Sequence, residues 1–229
     1  MMNLLVPVQA SSFANDIDFL IALVAVIGGF WLILAEAVLF YLMFKFRKKD
    51  GVKAQYITGE KKEEMKWIHL PHNVVLVCDL VIIYFAVVVW YNVKQVQPPA
   101  DETIRVIGRQ WSWIYVHPGL DHQLGTADDV ETVDELHLVV NKTYHFLLES
   151  KDVLHSFSVP VFRLKQDAIP GRVITGWFKP IMVGTWDVQC AEICGIGHGI
   201  MKSRMTIESE DEHKKWLESH QQTPVKTSH

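Results

Sequence analysis

The stretch IDFLIALVAVIGGFWLILAEAVLFYLMF, Ile17–Phe44, decides the architecture of the first third of the chain. After Asp18 it carries one charge, Glu36. A helix that crosses ~30 Å of hydrocarbon needs about 20 mostly apolar residues, and this run exceeds that. Downstream, NVVLVCDLVIIYFAVVVWYNV, Asn73–Val93, is broken only by Asp79 and qualifies in the same way. Two runs this long with no polar face argue for membrane helices and against core helices of a soluble protein. Between them lie Lys45, Arg47, Lys48, Lys49, Lys53, Lys61, Lys62 and Lys66, whereas residues 1–44 hold no Lys or Arg. The positive-inside rule therefore assigns the connecting loop to the cytoplasm, or to the matrix of a mitochondrion, and both termini to the outer side. The missing basic n-region argues against an ordinary cleaved signal peptide.

The whole chain has 229 residues and a net charge of −4, which offers no basic surface for nucleic acid. Three cysteines cannot form a disulfide scaffold, and 49% hydrophobic residues exclude a disordered chain. From residue 94 the pattern changes. Short β-type runs recur at Thr103–Ile107, Trp111–Val116, Leu136–Val140, His145–Leu148, Ser156–Val159, Arg172–Phe178, Thr185–Gln189 and Ser203–Ile207. Turn residues such as His117-Pro118-Gly119 and Ile169-Pro170-Gly171 separate them, as in an all-β sandwich or barrel. Asp211–Ser219 reads as a short helix.

The chemistry concentrates in Cys190-Ala191-Glu192-Ile193-Cys194-Gly195-Ile196-Gly197-His198-Gly199-Ile200-Met201, with a further imidazole at His155. Thiolate, thioether and imidazole together select copper over oxygen-loving metals. His-Cys-His with a weak axial Met is the mononuclear blue-copper pattern, to which a second Cys is added here. Two thiolates can each bridge two metal ions, with the remaining ligands divided between them. Glycines 195, 197 and 199 let the loop fold tightly. Two other readings exist, a Cys190–Cys194 disulfide and a zinc site with His155 and His198. Neither accounts for Met201.

This loop resembles the copper A loop of cytochrome c oxidase subunit II, C-x-E-x-C-G-x-x-H-x-x-M. Asp152-Val153-Leu154-His155-Ser156-Phe157-Ser158-Val159-Pro160, Leu164–Arg172 and Gln110-Trp111-Ser112-Trp113 are similar to further segments of that family. The resemblance covers about residues 15–208. It implies a two-helix transmembrane hairpin followed by an all-β cupredoxin-like domain. We expect an outward N-terminal segment at 1–14 and a hairpin at 15–93, with helices about 17–45 and 70–93 and an inner loop at 46–69. The copper A domain would span 94–209 and a C-terminal tail 210–229.

The resemblance also implies roles. Cys190 and Cys194 would bridge two coppers; His155 and Met201 would complete one, and His198 with the Glu192 carbonyl the other. The Glu192 side chain would reach a magnesium ion at the interface with subunit I. Trp111 would be the electron entry point, a rim or core aromatic being the plainer reading. Glu64-Met65-Lys66-Trp67-Ile68-His69-Leu70-Pro71 resembles the family's E-x-x-W-x-x-x-P helix start. By that likeness Glu64 would lie at the mouth of a proton pathway in subunit I, an exposed loop acid being the alternative.

The implied complex is a respiratory haem–copper oxidase in a bacterial or mitochondrial inner membrane, with its copper domain in the periplasm or intermembrane space. Its partners would be subunit I, subunit III, and cytochrome c or a membrane-bound cytochrome donor. No Cys-x-x-Cys-His haem attachment motif occurs, so no haem is expected on this chain. Asp121, Asp128, Asp129, Glu131, Asp134 and Glu135 suggest an acidic dock for a lysine-ringed cytochrome, with turnover falling as salt rises. Three competing readings are disfavoured. A nitrous oxide reductase type needs a second large domain, a quinol oxidase subunit lacks the ligands, and a copper-delivery protein has no use for the Gln110–Trp113 run. At 1.5 Å per residue Glu36 and Asp79 fall at similar depth, where ionisable groups are costly unless partnered.

Overall fold

The computed structural model describes residues 7–53 and 56–221. Ala14–Lys45 forms α1 and Lys62–Trp90 forms α2, which widens into a looser helical turn over Tyr91–Gln95. Both are long and apolar enough to cross a membrane, and neither buries its apolar window within the chain. Such surface demands lipid or neighbouring protein. Helix α2 starts at Lys62, earlier than the apolar run alone predicts. Its first turns are Lys, Glu and Met, all good helix formers, and the Glu63–Lys66 pair at 2.8 Å adds local support. Pro71 lies inside α2 and removes one N–H from its ladder. Glu36 and Asp79 are both exposed, and among the described residues neither finds a hydrogen-bonding or ionic partner.

Residues 16–92 form one compact unit, and residues 1–15 with 93–229 form the other. The second unit holds ten strands: β1 Glu102–Arg109, β2 Ser112–His117, β3 Val130–Val133, β4 Glu135–Val139, β5 Tyr144–Ser150, β6 His155–Val159, β7 Leu164–Ala168, β8 Ile174–Phe178, β9 Gly184–Cys190 and β10 Lys202–Glu208. They make two five-stranded sheets, β3-β2-β1-β5-β8 and β4-β10-β9-β6-β7. Pairing is antiparallel except for β1 with β5 and β4 with β10. Alternation sets the faces: in β10, Ser203, Met205 and Ile207 point inward while Lys202 and Arg204 point out. Ile104, Val106, Trp113, Tyr115, Phe146 and Leu148 from one sheet meet Leu136, Leu138, Phe157, Val188 and Met205 from the other, all fully buried. This is the two-layer β domain that the spacing of short strands predicts.

Strands β3 and β7 were not among the predicted runs. VETV is short and sits among acids, and LKQDA is mostly polar, so neither stands out as a hydrophobic segment. The C-terminal helix α3 runs Glu210–Gln221, longer than predicted at both ends. Ser209 and Glu212 explain its start: Glu212 Oε2 accepts from Ser209 N–H at 2.9 Å and Ser209 Oγ accepts from Glu212 N–H at 3.4 Å, a capping box.

The segment before α1 is stitched into the β unit. Ala10 N–H donates to the Val161 carbonyl, Ile181 N–H to Ala10, and Ser12 N–H to Lys179. The Arg163 guanidinium adds bonds to the Pro7 and Val8 carbonyls at 2.6 and 3.0 Å.

Candidate metal centre

One end of the β unit gathers the C-terminal ends of β1, β5 and β9 and the starts of β2, β6 and β10. The register requires it: Gly108 lies opposite Ser150, and Phe157 opposite Cys190. His155 opens β6 with its side chain inward and wholly buried. Cys190 closes β9, and Met201 immediately precedes β10. The loop from 191 to 200 returns across this end, so ligands far apart in sequence converge.

The convergence is close. Ligand atoms of His155, Cys190 and Cys194 lie within 4.8 Å of one another. The sulfurs of Cys190 and Cys194 are 3.7 Å apart, and both cysteines are free. His155 Nδ1 is 3.9 Å from Cys190 Sγ, and His198 Nδ1 is 3.7 Å from Cys194 Sγ. Met201 Sδ is 3.7 Å from Cys194 Sγ, and the Glu192 carbonyl oxygen is 3.3 Å from Cys190 Sγ. Two thiols, two imidazoles, a thioether and a carbonyl therefore surround one small space. That donor set is soft, and it fits copper. Burial, followed by the neighbouring Cys190 sulfur, pushes the Cys194 thiol up to about 11, so metal binding must displace a proton.

Supporting residues fix these ligands. His155 Nε2–H donates to Asp152 Oδ1 at 2.8 Å, which leaves Nδ1 as the lone-pair nitrogen facing the sulfurs. Asp152 Oδ2 also accepts from Gln110 N–H at 2.7 Å, and Oδ1 accepts from Val153 N–H at 2.7 Å. Partial burial pushes the Asp152 carboxyl up. The bonds from Gln110, His155 and Val153 outweigh that, and the net shift is down. Gly108 lies under the His155 ring; a Cβ there would approach its Cδ2 to 3.0 Å. Asp152, Gln110 and Gly108 carried no assigned role in the sequence reading. The one available signal was Asp152, three residues before His155.

Trp111 is 38% exposed and lies against the loop. A Cβ on Gly197 would come within 2.4 Å of its indole, and one on Gly195 within 3.2 Å of its Nε1. Both glycines are thus required by close approach, and Gly195 has φ +122 besides. Gln110 Nε2–H donates to the Cys194 carbonyl at 2.7 Å, tying the same hairpin to the loop.

Two other predicted groups behave differently. Glu64 Oε2 accepts from Gly59 N–H at 2.9 Å and is half-buried, unlike the exposed Glu63. The six acids do not gather as expected. Trp111 precedes β2 and the segment holding Asp121, Asp128 and Asp129 follows it. A six-residue strand separates these groups by about 20 Å at ~3.3 Å per residue. Glu131 pairs with Val116, near that far end. Asp134 is nearer the metal ligands but accepts from Trp113 N–H, and Glu135 faces His137. The expected dock is therefore divided: Asp121, Asp128, Asp129 and Glu131 lie toward the far end of β2, and Asp134 and Glu135 toward the end that holds Trp111.

The family model described as "Cytochrome C oxidase subunit II, periplasmic domain" matches residues 102–209. Over 217 residues the chain is 36% identical to the alternative cytochrome c oxidase subunit 2 of Bradyrhizobium diazoefficiens, covering 82% of this chain and 76% of that one. It is 29% identical over 240 residues to cytochrome c oxidase subunit 2 of Cereibacter sphaeroides, covering 92% and 78%. Among solved structures it is similar to the periplasmic domain of subunit II of cytochrome oxidase from Bradyrhizobium japonicum. The TM-score is 0.50 at 30% identity, over 56% of this chain and 98% of that one.

Proposed function

The chain belongs to the cytochrome c oxidase subunit II family, a component of haem–copper terminal oxidases, and from that premise we propose that it is their electron-entry subunit, with a binuclear copper A centre. It accepts electrons from a cytochrome c and passes them to haem in subunit I, where oxygen is reduced with proton pumping. The observation that carries this reading is the meeting of two free cysteine sulfurs 3.7 Å apart with His155, His198 and Met201 around them. Bound copper would supply one-electron redox chemistry shared over two metals.

The residues would do the rest. Cys190 and Cys194 would supply thiolates to both coppers, His155 and Met201 would be further donors to one, and His198 with the Glu192 carbonyl would be donors to the other. Asp152 holds the His155 ring so that Nδ1 presents its lone pair, which limits reorganisation when an electron arrives. Buried Met201 and His155 exclude water from one side, while partly exposed His198 and Trp111 leave the other side open to a partner. Trp111 is the port, because its indole lies on the loop between the ligands and solvent. The Glu192 carboxylate is assigned to magnesium at the interface with subunit I, and Glu64 to the proton-pathway entrance. The basic loop and the strap of residues 10–12 on the β unit support an inner-membrane protein with its copper domain on the outer side. Subunit III is the further expected partner.

Metal analysis with electron paramagnetic resonance on the assembled oxidase tests the centre. Two coppers on this chain sharing one unpaired electron is the expected result. A single copper, or zinc in its place, overturns it. For Glu64, the Glu64→Gln oxidase should turn over more slowly with an unchanged copper spectrum.

A further inference from the structure

Most of the ligand loop is tied to itself. His198 N–H donates to the Gly195 carbonyl at 3.1 Å, and Ile200 N–H to the Gly197 carbonyl at 3.1 Å. The start is anchored by Ala191 N–H on the Ser156 carbonyl at 3.0 Å. Beyond that, among the described residues, the backbone from Glu192 to Gly199 takes one hydrogen bond from elsewhere in the chain. It is the 2.7 Å bond from Gln110 Nε2–H to the Cys194 carbonyl. A carbonyl only accepts, so the amide nitrogen of Gln110 and not its oxygen must face it. Gly195 leaves room for this reach, since a Cβ there would stand 2.8 Å from Gln110 Nε2. The same residue supports the other imidazole. Its main-chain N–H donates to Asp152 Oδ2 at 2.7 Å, and Asp152 Oδ1 accepts from His155 Nε2–H at 2.8 Å. A line of bonds therefore runs from His155 through Asp152, Gln110 and the Cys194–Gly195 segment to His198, and no link in it uses a sulfur or the Nδ1 of either imidazole. Trp111 is the next residue after Gln110, and the two form the turn between β1 and β2, closed by the pairing of Arg109 with Ser112.

We propose that Gln110 is a positioning residue for electron entry: through the Cys194 carbonyl it keeps the His198 side of the metal loop seated under the Trp111 indole. Its side chain holds the loop and its main chain holds Asp152, so the turn that carries Trp111 is fixed to both arms of the centre. The seat is close. Cβ atoms on Gly197 and Gly195 would meet the indole at 2.4 and 3.2 Å, so a small displacement of the loop opens the contact. Supporting residues of this kind act by fixing the orientation of the groups that do the chemistry. The inference rests on the electron-entry reading and deepens it by naming what holds the port to the centre.

The test compares Gln110→Ala and Gln110→Glu with the parent chain in the assembled oxidase, with a reduced monohaem cytochrome c as the donor. Ala deletes the side-chain donor. Glu keeps its length and volume but turns an acceptor toward the Cys194 carbonyl. The main-chain bond to Asp152 is available in both. In rapid mixing at saturating donor, copper reduction should slow about 10-fold in each variant. KM for the donor, and the rate from copper to haem after photoreduction of the copper, should stay at the parent values. In copper-depleted oxidase, amide exchange at residues 194–198 should quicken in both variants while that at residues 155–159 does not, a readout independent of turnover. Reduction of the Gln110→Glu chain at the parent rate overturns the proposal, because the side chain then only fills space. Gln110 is itself exposed, so a raised KM with an unchanged saturating rate also overturns it: the residue would then touch the donor and not position the loop. Equal slowing of entry and of passage to haem overturns it as general damage to the centre, and so does loss of assembly in both variants. If the donor fails to reduce copper in the parent oxidase, the electron-entry reading itself fails, a result separate from parent-like rates in the variants.

Discussion

Two clusters in the β unit are rich in groups that can bind metal, and only one brings lone pairs together. At the ligand loop, two sulfurs and His155 Nδ1 share a space less than 5 Å across. Under α3, His117, His137, His213 and His220 surround Trp216, with ring centroids 5.0, 4.2, 5.3 and 4.8 Å away. There His117 Nε2 and His213 Nε2 are buried without a hydrogen-bond partner, and the nitrogens that are bonded face acids or backbone instead of one another. Glu208 Oε1 lies 3.0 Å from Nδ1 of both His137 and His213, Glu135 lies 3.2 Å from His137 Nε2, and His220 Nδ1 bonds the Trp216 carbonyl. The rings act as flat packing surfaces that seat a helix. Histidine count says little; where the unshared pairs point decides whether a cluster holds a metal or a helix.

The comparison breaks most sharply at the sulfurs. Cys194→Ser should cost copper affinity more than about 100-fold, beyond the 10–100-fold typical of supporting residues, with metal content read by mass spectrometry and resonance. The thermal unfolding of the metal-free protein should be little changed. Next comes Asp152→Asn, which keeps the shape but removes the charge that orients His155. It should weaken copper binding about 10-fold to 100-fold, measured by competition with a chelator. The converse experiment is Trp216→Ala. It should destabilise the β unit by about 2 kcal/mol, a value below that of a fully buried Trp because Trp216 is half-exposed, and leave the copper signal intact. Loss of copper in Trp216→Ala would merge the two clusters into one.

The smallest effect is with pH. Burial holds the His213 imidazolium back against the opposing pull of Glu208. Burial, then the charge of His213, holds His117 well below its usual range. Both histidines therefore hold a proton less readily in the folded chain than in the unfolded one. A lowered folded value means the stability they contribute is present above the unfolded value of ~6.5 and fades as pH falls below it. Amide exchange in α3 should quicken on acidification through that window while the ligand loop stays protected.

The sequence reading succeeded where the physics is local. A run long enough to cross a bilayer announces itself, and so does a loop that spaces two thiols, an imidazole and a thioether over twelve residues. Strands such as β10 show their inward Ser203, Met205 and Ile207 as simple alternation. What escaped was set by tertiary position. The acids of residues 121–135 are consecutive in sequence yet divided by the length of β2. Asp152 and Gln110 gain meaning only when β1, β5 and β6 end side by side. The cluster at Trp216 joins His117 to His220 across a hundred residues, with no spacing to betray it. The first turns of α2 carry no apolar signal, and what pointed to them was the likeness of Glu64–Pro71 to a helix start of the family.

The strap of residues 10–12 closes a ring that the covalent chain leaves open. Its amides and carbonyls grip residues 161–181, while the other end of the helical hairpin enters the same unit at Val93, whose carbonyl accepts from Trp177 Nε1–H at 3.0 Å. Both legs of the hairpin are thus moored to one platform. A protease cut in the basic connection between Lys45 and Lys62 would leave two fragments that still travel together, a molecular handcuff with its chain severed and both cuffs locked.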